Sequence, residues 1–286
     1  MRRLVAVLGG GAAGLAAAAF ARSAGAEVML LDEPGPADPT AWDAPVIGAR
    51  VWSVAREADG FRLDGLVAAG PVVVHARALI VCAGSFGAPH RTPSTEATRL
   101  LGATHAFVPA RGGWVPLLDH TQRCDVTGLY AAGDCAGLGG DAVQEGRTAA
   151  HAALIDLGRA VPATPLTTPR HDMSATMDRF GAACAALGGE AIVCPCEGLS
   201  QAAVLAGIAA GARDVNQLKS FTRAGMGPCQ GRLCNEVVAE LVGRHLGSRA
   251  RAGIATARVP LRPVPMSALL GAFEYADIPV PAPAPI

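Results

Sequence analysis

The chain has 286 residues, which on the usual scale of roughly 150 residues per domain corresponds to about two domains. Hydrophobic residues make up 51% and charged residues 17%, which excludes a disordered chain because apolar surface is ample to offset the entropy of ordering. Basic and acidic residues balance at 24 each and aromatics reach only 4%, so neither a field for nucleic acid or anionic lipid nor a base-stacking platform is expected.

Taken in chain order, residues 4–8 read as a buried strand, 9–11 as a turn, 12–23 as an Ala-rich helix and 27–32 as a second strand. The apolar run from Leu4 to Ala21 after Arg2 and Arg3 resembles a signal peptide or membrane anchor, but glycines at 9, 10, 11 and 14 break it. A targeting peptide has no reason to be followed by a strand ending in an acid, so a soluble, cytoplasmic protein is expected. Helix and strands each span about 18–20 Å, as a βαβ crossover requires.

Gly9-x-Gly11-x-x-Gly14 lies between that strand and helix, the context a dinucleotide fingerprint needs. Gly9 allows the tight turn, Gly11 lets the backbone approach a pyrophosphate, and Gly14 permits close helix–strand packing. The helix start at Ala12 and Ala13 offers free N–H groups and the positive end of its dipole to the phosphates. Asp32, with Glu33 beside it, ends the second strand where a carboxylate accepts ribose hydroxyls. A Val at Gly11 is expected to crowd the pyrophosphate and to strain the turn.

Short strands follow at 51–55, 61–63 and 72–82, a turn-rich stretch at 89–94, strands at 114–117 and 129–132, and a helix over 141–157. Residues 162–169, with Pro162, Pro165 and Pro169, are the clearest linker, and a helix over 172–187 leads from it. Helices are expected at 200–210, 214–222 and 232–246, with Ser200 and Asp214 as N-caps. After Arg249 the chain is punctuated by prolines and reads as an extended arm that wraps another surface or frays.

Eight cysteines are too few and too uneven for a secreted disulfide scaffold. Cys82, Cys124, Cys135 and Cys184 are scattered and read as small buried thiols. Cys194-Pro-Cys196 and Cys229-x4-Cys234 instead form two close pairs. Four thiolates hold either zinc or a [2Fe–2S] cluster. Cys-x-Cys is tight for tetrahedral zinc, and the helical surroundings lack a zinc-ribbon hairpin. Gly225, Gly227 and Gly231 leave backbone N–H groups free to bond the sulfides of a cluster. The cluster is favoured over zinc and over plain thiols.

Two resemblances extend these readings. Residues 127–134, ending in Gly133-Asp134, resemble the second FAD fingerprint of the two-dinucleotide-binding flavoproteins, and 78–84, ending in Ala83-Gly84, resemble the strand that closes their FAD domain. This implies Asp134 at the ribityl chain and the helix near 141–146 aimed at the flavin pyrimidine. The interval between Gly84 and Gly133 holds no second Gly-x-Gly-x-x-Gly and no Cys-x-x-Cys, so the family's central NAD(P) domain is missing and reduction by a pyridine nucleotide is not expected. Residues 193–198 and 223–234 then resemble the bacterioferritin-associated-ferredoxin type of [2Fe–2S] domain. That domain occurs in the FAD-binding α subunits of heteromeric amine and amino-acid dehydrogenases, of the opine oxidase, hydrogen cyanide synthase and D-hydroxyproline dehydrogenase type. Residues 112–116 and 262–265 share in the likeness.

The expected architecture is an α/β, Rossmann-like FAD-binding domain over 1–161, a linker and connecting helix over 162–189, a small all-helical [2Fe–2S] domain over 190–248 and an extended tail over 249–286. FAD and a [2Fe–2S] cluster are the implied cofactors, with Cys194, Cys196, Cys229 and Cys234 as ligands. The resemblance implies an electron-transfer subunit whose substrate, an amino acid, opine or secondary amine, is oxidised on a D-amino-acid-oxidase-like β subunit with its own FAD, with or without a small third subunit. Alternatives are a self-contained flavin/iron–sulfur oxidoreductase and a structural subunit holding NAD, ADP or ATP. No catalytic acid/base or nucleophile constellation is found; Glu145 and Arg147 read as pairing or capping groups.

Overall fold

Strand β1 (Arg2–Leu8) is apolar on both sides because it runs through the middle of a sheet, and Val5, Ala6 and Val7 are fully buried. In the computed structural model of the chain, residues 2–33, 46–86, 91–163 and 169–269 are described. Helix α1 (Ala12–Ser23) crosses to β2 (Val28–Asp32), which pairs parallel to β1 from Val5↔Val28 to Leu8↔Leu31. β3 (Val46–Gly48) adds a short parallel strand outside β2.

An antiparallel meander, β4 (Arg50–Glu57), β5 (Gly60–Val67) and β6 (Gly70–Val81), then brings the chain back beside β1. β6 is long enough to do two things. Its first half pairs with β5, and its last three residues pair parallel with β11 (Leu129–Ala131), from Leu79↔Leu129 to Val81↔Ala131. The seven-stranded sheet has the order β3-β2-β1-β6-β5-β4, with β11 on β6. Strand periodicity divides its side chains between two cores. Ala6, Met29, Leu79, Leu129 and Phe61 fall on one face, and Val5, Val7, Leu30, Ile80 and Tyr130 on the other with α1 and α3 (Ala142–Asp156). Burying each of the large members contributes about 1.5–3 kcal/mol.

Between Gly84 and Gly133 lie a ribbon of β7 (Ser85–Phe86) and β8 (Thr92–Pro93), helix α2 (Glu96–Leu100), and a hairpin of β9 (His105–Val108) and β10 (Gly113–Pro116). Among the described residues of this interval there is no parallel strand–helix–strand unit.

Beyond the linker come α4 (Ser174–Ala185), β12 (Ile192–Cys194), β13 (Leu199–Ser200), α5 (Gln201–Ala209), α6 (Val215–Thr222) and α7 (Asn235–Leu246). A third core of Val193, Val204, Leu218, Val238 and Val242 holds the last five of these elements together. Ser200 accepts a hydrogen bond from the Ala203 N–H, and Asp214 accepts from those of Asn216 and Gln217, so both caps form.

The expectation of an all-helical module is corrected. Ile192 and Val193 are β-branched, and Gly198 turns the chain with φ +63°, so this stretch closes an antiparallel hairpin. Helix α7 starts at Asn235 rather than 232 because Gln230 and Gly231 take left-handed φ values of 56° and 80°.

The arm after Arg249 does wrap another surface over its described part. Trp114 Nε1 donates to the Gly253 carbonyl at 3.2 Å, the Leu261 N–H donates to the Trp52 carbonyl at 2.7 Å, and Arg50 donates to the Pro263 carbonyl at 2.9 Å. Leu261 is buried, and a short helix, α8 (Met266–Leu269), follows. The tail 270–286, linker residues 164–168 and turn residues 87–90 lie outside the described residues. No helix among the described residues is long and apolar enough to cross a membrane.

Candidate functional site

The glycine loop after β1 is built for close approach. Gly9 has φ +109°, and a Cβ there would overlap the Cys82 carbonyl; a Cβ at Gly14 would overlap the Gly9 carbonyl oxygen. These two glycines let β1, the loop and β6 touch. At Gly10 a Cβ would come within 2.6 Å of Asp32 Oδ2, so the Asp32 carboxylate is lodged against the loop. The fingerprint pattern treats position 10 as free, and only the run of three glycines hints at this.

Gly11 differs from its neighbours. A Cβ at this position would meet nothing within 4 Å, and its φ of −70° is accessible to any residue. The expected strain from a side chain here is therefore corrected: only space is at stake. Gly11 is the N-cap of α1 and carries no side-chain cap, so the first N–H groups of the helix face that space unsatisfied by a side chain. An anion placed there would meet both those donors and the helix dipole. The adenine-nucleotide half of a dinucleotide fits this cradle.

A pocket opens between the ends of β1 and β2, and it brings together Gly9, Asp32, Glu33 and Ala83 from the expected set. Glu33 is paired with Arg50 at 2.7 Å. Ala12 is exposed at the helix start, whereas Ala13 is buried against α3, where a Cβ on Gly146 would overlap the Ala13 carbonyl. The pocket's far wall lies outside the nucleotide fingerprints, with only Arg262 in a segment, 262–265, that the sequence likeness touches. It consists of Ser94, Glu96 and Ala97 from the start of α2, with Leu261 and Arg262 from the C-terminal arm.

Gly84, Gly133 and Asp134 lie at a different place, past the ends of β6 and β11. Gly84 and Gly133 have φ +70° and +75°. The Gly133 N–H donates to Glu145 Oε2 at 2.9 Å. Asp134 accepts from Ser85 Oγ at 2.9 Å and is ion-paired with Arg91. At the start of α3, Asp141 caps the Gln144 N–H at 3.0 Å. Arg170 pairs with Glu145 at 2.6 Å and donates to the Gly137 carbonyl, while the His171 N–H donates to the Gly139 carbonyl at 2.9 Å. Residues arriving from the linker thus cover the loop that leads into α3. Burial pushes the Glu145 carboxyl up, with Arg170 and the Gly133 N–H opposing it, and burial lowers Arg170.

The fold of the C-terminal module brings the four clustered cysteines near one another as two pairs. Cys194 sits on β12, Cys196 in the hairpin turn, Cys229 in the loop after α6 and Cys234 at the N-cap of α7. Their thiols meet across the two sequence pairs, Cys196 with Cys229 and Cys194 with Cys234. Among the described residues no three His, Cys, Asp or Glu side chains stand together as a single-ion site requires.

Among the four, backbone donors favour a thiolate at Cys229. Burial raises Cys229, but the N–H groups of Leu233, Gly231 and Arg232 and the Cys196 thiol outweigh it and hold the group below the ordinary thiol range. Burial beside Cys194 pushes Cys234 up to about 12, with the Gly225 N–H opposing. Gly227 packs flat on Cys196, while Gly225 and Gly231 enclose the Asn235 side chain. Cys82, Cys124, Cys135 and Cys184 stand apart, and burial raises all four.

Residues 192–244 match the BFD-like [2Fe-2S] binding domain. The opine oxidase A polypeptide of Rhizobium meliloti is 35% identical over 198 residues, covering 65% of this chain and 42% of that protein. The HcnB polypeptide of hydrogen cyanide synthase from Pseudomonas aeruginosa is 29% identical over 192 residues, covering 62% of this chain and 41% of that protein. The chain thus spans less than half the length of these curated relatives. In fold it is similar to L-proline dehydrogenase from P. horikoshii, with a TM-score of 0.75 at 17% identity over 95% of this chain and 80% of that one. The chain is thus similar to the opine oxidase A and hydrogen cyanide synthase HcnB polypeptides, and its residues 192–244 match the BFD-like [2Fe-2S] binding domain.

Proposed function

We propose that this chain is the flavin and iron–sulfur electron-transfer subunit of a heteromeric dehydrogenase or oxidase, and that an amino acid, opine or secondary amine is oxidised on a partner subunit with its own FAD. One observation carries the reading: a glycine cradle open to an anion and a four-cysteine centre supplied with N–H donors stand in the same chain. The division into 1–161, 162–189, 190–248 and 249–286 belongs to the same proposal.

Gly9, Gly11, Gly14 and the start of α1 would hold the pyrophosphate of FAD, and Asp32 its ribose. Ala83, Gly84, Gly133 and Asp134 would flank the flavin half. Cys194, Cys196, Cys229 and Cys234 would hold the cluster, and the N–H groups of residues 231–233 would steady the charge on Cys229. Bound flavin exchanges one or two electrons and the cluster exchanges one, which suits a relay.

The engaged state of Asp134 and the Arg170–Glu145 pair beside the start of α3 favour a second reading, in which only the adenine half of the site is used and the nucleotide is NAD, ADP or ATP. Native mass and chemical identification of the extracted nucleotide separate the two. The relay reading predicts one flavin with two iron and two acid-labile sulfide per chain, and a copurifying second flavoprotein. A non-flavin nucleotide supports the structural reading, and a self-sufficient single chain that oxidises amines contradicts both.

A further inference from the structure

Arg232 lies between Cys229 and Cys234, and its guanidinium reaches in two directions. On one side it donates through Nη1 to the Cys229 carbonyl at 3.3 Å and to Gln230 Oε1. On the other it donates through Nη2 to the Leu261 carbonyl at 2.7 Å and stands 3.4 Å from Glu96 Oε1. Leu261 and Glu96 both line the nucleotide pocket, on the wall across from Asp32 and Glu33. Glu96 is itself fixed by Ser94 Oγ at 2.9 Å, another lining residue.

The link is shielded and geometrically specific. The Arg232 and Glu96 side chains are 20% and 17% exposed, so the pair is not a loose surface contact of negligible worth. The wall residue Leu261 is held in turn by its N–H bond to the Trp52 carbonyl, and Gln230 Nε2 donates to the Pro260 carbonyl at 2.8 Å. Only a planar fork serves the cysteine loop and the arm at once; a lysine would reach one of them.

We propose that Leu261 and Arg262 of the C-terminal arm form part of the nucleotide-binding site, and that Arg232 is a positioning residue coupling occupancy of that site to the order of the cysteine loop. The inference rests on the reading that the pocket takes an adenine nucleotide and the four cysteines a cluster. A nucleotide pressing on Leu261 and Arg262 holds the Leu261 carbonyl in place, and that carbonyl holds Arg232 against the Cys229 loop. By linkage, the factor by which nucleotide steadies the loop equals the factor by which the ordered loop tightens nucleotide binding.

The test uses the full chain with its cluster in place, ADP as the probe, and the rate of iron loss to a chelator as the readout. In the unmodified protein, saturating ADP should slow iron loss about fivefold or more, the usual scale of coupling between sites. In Arg232→Met, iron should be lost at one rate with or without ADP, and ADP should bind more weakly than to the unmodified protein. Arg262→Met should weaken ADP binding and, because Arg262 also donates to the Leu261 carbonyl at 2.9 Å, should lessen the protection that ADP gives. Should Arg232→Met fail to accumulate, Glu96→Gln removes the link from the pocket side and should reduce the protection.

Protection by ADP that persists undiminished in Arg232→Met, or that is missing in the unmodified protein although ADP binds, overturns the proposal. Failure of ADP to bind the unmodified protein would show instead that the pocket reading is wrong. Absence of acid-labile sulfide would show the same of the cluster reading. Either takes the coupling down with it and is recognised before the coupling is measured.

Discussion

Glu145 and Arg170 meet at 2.6 Å with the carboxylate 1% exposed, and the same Oε2 accepts the Gly133 N–H at 2.9 Å. One buried acid therefore joins α3, the loop after β11 and the chain leaving the linker. Burial raises Glu145 and lowers Arg170, so each charge depends on the other for its place in the interior. Arg170→Met should cost about 3–5 kcal/mol of stability at neutral pH, because it strands a buried carboxylate. The double variant Glu145→Gln, Arg170→Met should cost less than this single one.

The pH dependence has a definite sign. A carboxyl whose folded pKa lies above its unfolded value contributes stability that is fully present below the unfolded pKa and lost as pH rises through the folded one. Removing Arg170 removes a group that lowers Glu145, so the loss should deepen between about pH 5 and pH 7 in Arg170→Met. Urea unfolding of the single and double variants at the two pH values checks both statements. Equal loss in Arg170→Met at both pH values would count against the charged pair.

Gly11→Val should abolish nucleotide binding without unfolding the chain, since a Cβ at this position meets no protein atom within 4 Å and the backbone is unstrained. Gly14→Ala should do the reverse of a clean binding defect. Its Cβ would overlap the Gly9 carbonyl, and overpacking of this kind costs about 1–3 kcal/mol or more. Thermal unfolding beside nucleotide content distinguishes them: Gly11→Val keeps its melting temperature, Gly14→Ala does not.

Much of this is legible along the chain, because the signals are local. Helix α1 occupies the twelve residues its Ala-rich pattern marks out, between a glycine loop and Gly25. Ser200 and Asp214 cap as their positions suggest. The hairpin of β12 and β13 escapes sequence reading because its two strands are very short and Cys-Pro-Cys obscures any alternation. The pocket wall at Leu261 and Arg262, and the cover that Arg170 places over the start of α3, depend on contacts between distant parts of the chain. No local pattern encodes such pairings. Gly225, Gly227 and Gly231 read from sequence as donors to cluster sulfides; that Gly225 and Gly231 enclose Asn235 while Gly227 packs on Cys196 is visible only in three dimensions.

Cys229→Ser should remove iron, sulfide and visible cluster absorbance while nucleotide content stays largely intact, since the cysteine module has its own core. Cys135→Ala should leave iron unchanged: that thiol is buried in the sheet core and bonded to the Val81 carbonyl. Metal and sulfide analysis of both variants checks the assignment. One equivalent of zinc without sulfide would remove the basis for a relay.

Under the proposed function, electrons reach this chain from a partner's flavin and not from a pyridine nucleotide. A single βαβ unit takes about 30 residues and a competent binding half needs more sheet around it. Between Gly84 and Gly133 the described residues form two short ribbons and a five-residue helix instead. The most direct measurement mixes the isolated chain anaerobically with excess NADH or NADPH and follows bleaching of the flavin and cluster bands. It is then repeated with the reconstituted complex and a panel of amino acids, opines and secondary amines. Bleaching only in the complex, and only with one of those substrates, is the result predicted; rapid bleaching of the isolated chain by NADH would contradict it.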